Sequence, residues 1–103
     1  MAAPRRPAPR TYTTSWPSEP ADDPAAETIR LAVLTLIDTI GERSLRDVAR
    51  ECGMNHAALA KMVNGETWPE ARTIALLESG LEVGIWPLTG PGGTHNRAIH
   101  RNP

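Results

Sequence analysis

Residues 44–68 read SLRDVARECGMNHAALAKMVNGETW, and the spacing of capping, small and apolar residues in this run decides the fold. Ser44 is a good helix N-cap, and Asp47 three residues later supplies the reciprocal half of a capping box. Leu45, Val48, Ala49 and Cys52 follow at one-face helical spacing. Gly53 stands where a left-handed backbone would end that helix. Asn55 can cap a second helix whose apolar stripe is Ala58, Leu59, Met62 and Val63, and Asn64-Gly65 closes it. Two short helices joined by a turn of this length meet at a steep angle, which is the helix-turn-helix unit.

Outward from this unit the chain divides into three parts. Residues 1–26 are proline- and arginine-rich without a periodic apolar pattern, and are read as a disordered or extended arm. Residues 27–88 are the folded part, and residues 89–103 form a glycine- and proline-marked flexible, basic tail. A first helix is expected from about Pro24 to Ile40, with Ile29, Val33, Leu36, Ile37 and Ile40 apolar and Leu31 and Leu34 beside them. So wide a stripe makes the helix either central or a partner contact. Pro69 is placed to open a fourth helix that Gly80 ends, with Ile74, Leu77 and Leu81 as core candidates. Leu81 to Leu88, with Ile85, Trp86 and Pro87, reads as a short turn or partial helix packing back on the bundle. The expected fold is all-α: a compact bundle of four to five short helices with a central helix-turn-helix, flanked by disordered tails.

Composition agrees with a small helical core. The chain has 103 residues, and aromatics make up 4% with no Phe, so Leu, Ile, Val and Ala must carry the packing. The single cysteine excludes an intramolecular disulfide and fits a reducing cytosol. No apolar run approaches a membrane span, and the N-terminus lacks a signal-peptide apolar region. One lysine against ten arginines, with abundant Ala and Pro, suggests a GC-rich bacterial or phage genome.

The 44–68 run resembles the helix-turn-helix of the lambda-repressor/Cro-like (XRE-type) family. That family has a small residue within the first helix (Ala49 here) and glycine four residues on (Gly53). Six residues later comes the aliphatic residue that plugs the second helix into the first (Leu59). The ending NGETWP is also similar to the family's, and the resemblance extends with lower specificity over about residues 27–88. It implies a sequence-specific, repressor-like transcriptional regulator that places its second helix in the major groove of double-stranded DNA. Carried over by position, the base-reading sites are Asn55, His56, Ala57 and Lys61. Asn55 can either pair with adenine or cap the helix. His56 can meet a purine edge, Ala57 a thymine methyl, and Lys61 guanine or a phosphate. Phosphate contacts are expected from Arg43, Ser44, Arg46, Arg50, Thr67 and Arg72, with Trp68 in the same loop as Thr67. The reading face is poor in donors, which implies modest discrimination or a role for DNA shape.

Charge is less favourable to nucleic acid. The chain carries a net −1. Residues 1–18 carry Arg5, Arg6 and Arg10 without an acid, residues 95–103 carry Arg97 and Arg101, and residues 43–72 have a net +1. The other acids, including Glu19, Asp22, Asp23, Glu27, Asp38 and Glu42, lie mainly before the unit. Such a split suits one DNA-facing side and an acidic far side. Arg5, Arg6 and Arg10 could form an arm in the minor groove or along phosphates, or belong to a plain disordered terminus.

No other constellation carries chemistry. His56, His95 and His100 lack metal-ligand spacing with Cys52, so no metal, cofactor or small-molecule ligand is expected. No nucleophile–base pair or phosphate-cradling loop is apparent, and the chain is not read as an enzyme. Trp68 and Trp86 are expected to pack as core or lid residues, and Trp16 has no assigned role. The alternative function is a protein-interaction module on the same fold, antitoxin-like or an adaptor. A homodimer, through the first helix or Ile85–Leu88, and a monomer are both open.

Overall fold

In the computed structural model, residues 6–87 are described. Among them are four α-helices and no strand: α1 (Pro24–Ile40), α2 (Leu45–Cys52), α3 (His56–Val63) and α4 (Ala71–Leu81), preceded by one 3₁₀ turn at Pro9–Tyr12. The all-α bundle is therefore present as expected. The tail 89–103, with His95, Arg97, His100 and Arg101, lies outside the described residues, as do Arg5 and Leu88.

Helix α1 starts where its sequence dictates. Asp23 accepts the Ala26 N–H, and Pro24 fills the first helical position, where no N–H is needed. Its buried face is Ile29, Ala32, Val33, Leu36 and Ile40. These pack with Val48, Ala49 and Cys52 of α2, Leu59 and Met62 of α3, Ile74 and Leu77 of α4, and Ile85 beyond it. Ile37, one of the apolar positions of the wide stripe, is exposed, together with Leu34. Position 37 falls at the edge of the stripe that Ile29, Val33, Leu36 and Ile40 define, so the bundle covers its neighbours and leaves it out.

Two local readings need correction. Ser44 accepts the Asp47 N–H at 3.0 Å, but the Asp47 carboxylate does not return to the cap; it pairs with Arg50 Nη2 at 2.8 Å. A one-turn Asp–Arg pair competes with the reciprocal bond and holds the side chain outward. Gly80 does not end α4, which runs on to Leu81 with Glu82 in the left-handed region (φ 56°). The glycine is needed inside the helix: a Cβ at position 80 would lie 2.6 Å from Cys52 Sγ and 3.0 Å from its Cα. It lets α4 cross α2 at close range, a role that chain-local reasoning mistakes for a stop. Pro69 precedes the helix, with Glu70 at its N-cap position. Beyond α4, the Glu78 carboxylate accepts the N–H groups of Ile85 (2.8 Å) and Trp86 (2.9 Å). That fixes the return of the chain as a turn, burying Ile85 while Trp86 stays exposed.

The largest departure concerns the N-terminal segment. Residues 6–23, part of the stretch read as a disordered or extended arm, are laid against α1 and the end of α3. Trp16 donates its indole N–H to the Val63 carbonyl (2.9 Å), and the Arg10 N–H reaches the Gly65 carbonyl (3.1 Å). Arg30, buried on α1, donates to the Pro17 carbonyl (3.0 Å) and bidentately to Glu27. Glu27 in turn accepts the Ala21 N–H at 2.8 Å. Arg30 beside it holds the Glu27 carboxyl below its ordinary range despite desolvation, and Glu27 raises Arg30. The segment has no helical period because it is tied by long-range bonds to backbone carbonyls rather than by an amphipathic stripe.

Candidate nucleic-acid interface

The turn between α2 and α3 is built from backbone hydrogen bonds. Gly53 takes φ 71°, its N–H reaches Arg50 O (3.2 Å), and the Met54 N–H reaches Ala49 O (2.9 Å). This is the Schellman pattern, with Met54 packed on the core. Nothing lies within 4 Å of a Cβ at Gly53, so the requirement for glycine is conformational. Asn55 then caps α3, its Oδ1 accepting the Ala58 N–H at 3.0 Å. Of the two roles open to this side chain, its carbonyl oxygen serves the cap, which leaves its amide N–H₂ for other partners. Leu59, fully buried, plugs α3 into Val48 and Ala49 of α2, and Met62 follows one turn later.

Burying Leu59 and Met62 turns the opposite face outward. Asn55, His56, Ala57, Ala58 and Lys61 are all exposed. The side chains on this face are short apart from Lys61 and His56, so α3 can approach a flat or grooved surface closely. Two open grooves flank it. One, of about 380 Å³, is lined by Ala57, Lys61, Thr67, Trp68 and Thr73 among others. The other, of about 480 Å³, lies towards the start of α3 beside Arg50, Gly53, Asn55 and Arg72.

The surrounding cations differ in how free they are. Arg43 pairs with Glu51 (3.0 Å) and also donates to the carbonyls of Ile40 and Thr39. Arg50 pairs with Asp47. Arg46, Lys61 and Arg72 are exposed and, among the described residues, take part in no ion pair. Ser44 is engaged as acceptor of the Asp47 N–H. Thr67 is exposed on the loop after α3. Exposed ion pairs are worth only about 0–1 kcal/mol, so Arg43 and Arg50 can exchange their carboxylates for a more strongly charged partner at little cost.

The N-terminal segment, for which sequence reasoning offered only loose arginines, comes to the same side. Arg6 stacks over the Trp68 ring, 5.3 Å from its centroid, and Trp68 donates its indole N–H to Pro7 O (2.7 Å). Arg10 lies 4.0 Å from Glu66. Trp68 is thus a platform that joins this segment to the loop after α3, and Trp16 is part of the core margin. Neither contact leaves a trace in local periodicity. Cys52 is buried, and desolvation pushes its thiol up, which suits packing rather than reactivity.

A short second helix plugged into a first through a glycine turn, with its outer face clear, defines a helix-turn-helix domain. Residues 42–85 match the family model described as Helix-turn-helix, of the lambda-repressor-like (XRE-type) kind, and this match supports a DNA-binding helix-turn-helix. No curated protein and no solved structure gives a match to the chain. Among the described residues no helix is long and apolar enough to cross a membrane.

Proposed function

We propose that this protein is a sequence-specific double-stranded DNA-binding transcriptional regulator of repressor type, acting in the bacterial or phage-infected cytosol, with α3 as its reading helix. The observation that carries this reading is the exposed face of α3, which bears Lys61 and has Arg72 in the groove beside its start, both outside any ion pair among the described residues. A major groove about 12 Å wide accepts a helix of that diameter. In this arrangement His56, Ala57, Lys61 and the amide N–H₂ of Asn55 face base edges. Arg46, Arg72, Thr67, Ser44 and, after releasing their carboxylates, Arg43 and Arg50 take the phosphates. Arg6 and Arg10 add positive charge beside the loop at Thr67. The role is regulatory rather than catalytic.

The adaptor reading draws on one observation, the two alanines at 57 and 58 in the middle of the exposed face, which suit a protein surface as well as a groove. Titration with a random duplex at two salt concentrations separates the two. DNA binding weakens as salt rises, with a slope set by the number of phosphates neutralised. Absence of binding even at low salt would leave the adaptor reading in its place.

A further inference from the structure

We propose that Trp16 is a positioning residue for the DNA-reading helix. Through its ring and its indole N–H, the N-terminal segment holds the C-terminal end of α3 and sets where Lys61 and the loop at Thr67 stand. The inference rests on the DNA-binding reading above and goes beyond it, because Trp16 lies outside residues 42–85 that match the family.

The physical need is plain from the length of α3. Eight residues make two turns, and helices shorter than about 12–15 residues are marginal unless tertiary contacts hold them. The start of α3 is fixed by the Asn55 cap and the Gly53 turn. Its end leaves carbonyls without intrahelical partners. Two carbonyls of the exit are satisfied from the N-terminal segment: Val63 O by the Trp16 indole N–H at 2.9 Å, and Gly65 O by the Arg10 N–H at 3.1 Å. The same turn is tied to Lys61, whose carbonyl accepts the Glu66 N–H at 2.9 Å.

Packing adds to these bonds. Gly65 is buried in the left-handed region, φ 72°. A Cβ on it would sit 2.6 Å from Trp16 Cε2, so the indole lies flat against the backbone of the exit turn. Next to Trp16, the Pro17 carbonyl is held by buried Arg30 of α1. Trp16 is therefore wedged between α1 and the end of α3. A second indole, Trp68, binds Pro7 O at the far end of the same loop. One segment thus clamps both ends of the Val63–Trp68 stretch, and the groove lined by Lys61, Thr67 and Trp68 lies on that stretch.

Trp16 carries no charge and lies outside the exposed face of α3. Changing it should reduce discrimination between sequences while leaving the sequence-independent, salt-dependent attraction intact. The test uses the full chain as wild type, Trp16→Phe and Trp16→Ala. The DNA probes are a duplex that the wild type selects from a randomised pool and a random duplex. Trp16→Phe keeps an aromatic ring but loses the N–H donor. It should lose on the order of tenfold in preference for the selected duplex, the scale of one hydrogen bond to an otherwise unpaired carbonyl. Its affinity for random duplex and its salt slope should not change. Amides of residues 63–66 should exchange faster than in the wild type, with α1 unchanged. Trp16→Ala should show the same pattern more strongly; should it fail to fold, the Phe variant alone decides. An unaltered preference in Trp16→Phe, an equal loss on both duplexes, or unaltered exchange at residues 63–66 would each overturn the proposal while the DNA-binding reading stood. A wild type that prefers no duplex would overturn both.

Discussion

Two glycines share one backbone conformation and differ in everything around it. Gly53 and Gly65 have φ of 71° and 72°, yet a Cβ at the first meets nothing while one at the second meets the Trp16 ring at 2.6 Å. Gly53→Ala should cost only the left-handed penalty of a side chain, about 1–2 kcal/mol. Gly65→Ala carries that penalty and must also displace the indole, for a loss of about 2–4 kcal/mol. Urea unfolding of both variants would measure the gap; equal losses would mean that the ring does not press on Gly65. At this scale the caps were legible, since Ser44 and Asn55 bond to amides three residues away. The Asp47 half of the capping box was not, because Arg50 offered its carboxylate a charged partner instead.

Elements were legible where packing follows a period and illegible where it does not. The limits of α1, and the identities of Val48, Leu59, Met62, Ile74 and Leu77 as core, follow from helical spacing. The helix-turn-helix resemblance rested on Ala49, Gly53 and Leu59, and the structure uses all three as the family does. Gly80 and residues 6–23 escaped for one reason: each is specified by a contact far along the chain, with Cys52 for the glycine and with Val63 and Gly65 for the segment. Proline-rich composition removes helix propensity, but it does not prevent a segment from being tied down by indole and guanidinium donors. The Glu27–Arg30 pair is the anchor of that segment on α1, and its electrostatics are testable. The folded-state pKa of Glu27 is lowered, first by the hydrogen bond from Arg30. The group therefore contributes stability that is fully present above the ordinary carboxylate value of about 4.3 and is lost as pH falls below it through the lowered folded value. Glu27→Gln should lower Tm at pH 7, and its deficit relative to the wild type should shrink as both are melted at successively lower pH below about 4.3. A deficit independent of pH would show that the carboxylate's charge is not what holds the segment.

Across the whole molecule, the net charge of −1 conceals a division of labour. The exposed apolar pair Leu34 and Ile37 lies on α1, the helix whose wide stripe left room for a partner contact, whereas in the other dimer candidate, Ile85–Leu88, Ile85 is buried and Trp86 exposed. Around α3 stand cations of two kinds. Arg46 and Arg72 are exposed, in no ion pair among the described residues and off α3, so on the proposed reading they would meet phosphates whatever the sequence. His56 and Lys61 are on that helix and would meet bases. Arg46→Ala and Arg72→Ala should each weaken binding to every duplex and reduce the salt slope by about 1. Arg43→Ala should do less, since Glu51 already holds its guanidinium at 3.0 Å and must be displaced before a phosphate is bound. His56→Ala and Lys61→Ala should instead relax the preferred sequence at particular base pairs, at about 1–3 kcal/mol per lost contact, and Lys61→Ala should reduce the salt slope only if its ammonium sits on a phosphate rather than a guanine. Parallel selections from a randomised pool, with affinities at two salt concentrations, distinguish these outcomes. If Arg46→Ala and His56→Ala change preference and affinity alike, the reading face has been placed on the wrong side of α3, and the groove beside Thr67 and Trp68 becomes the surface to probe.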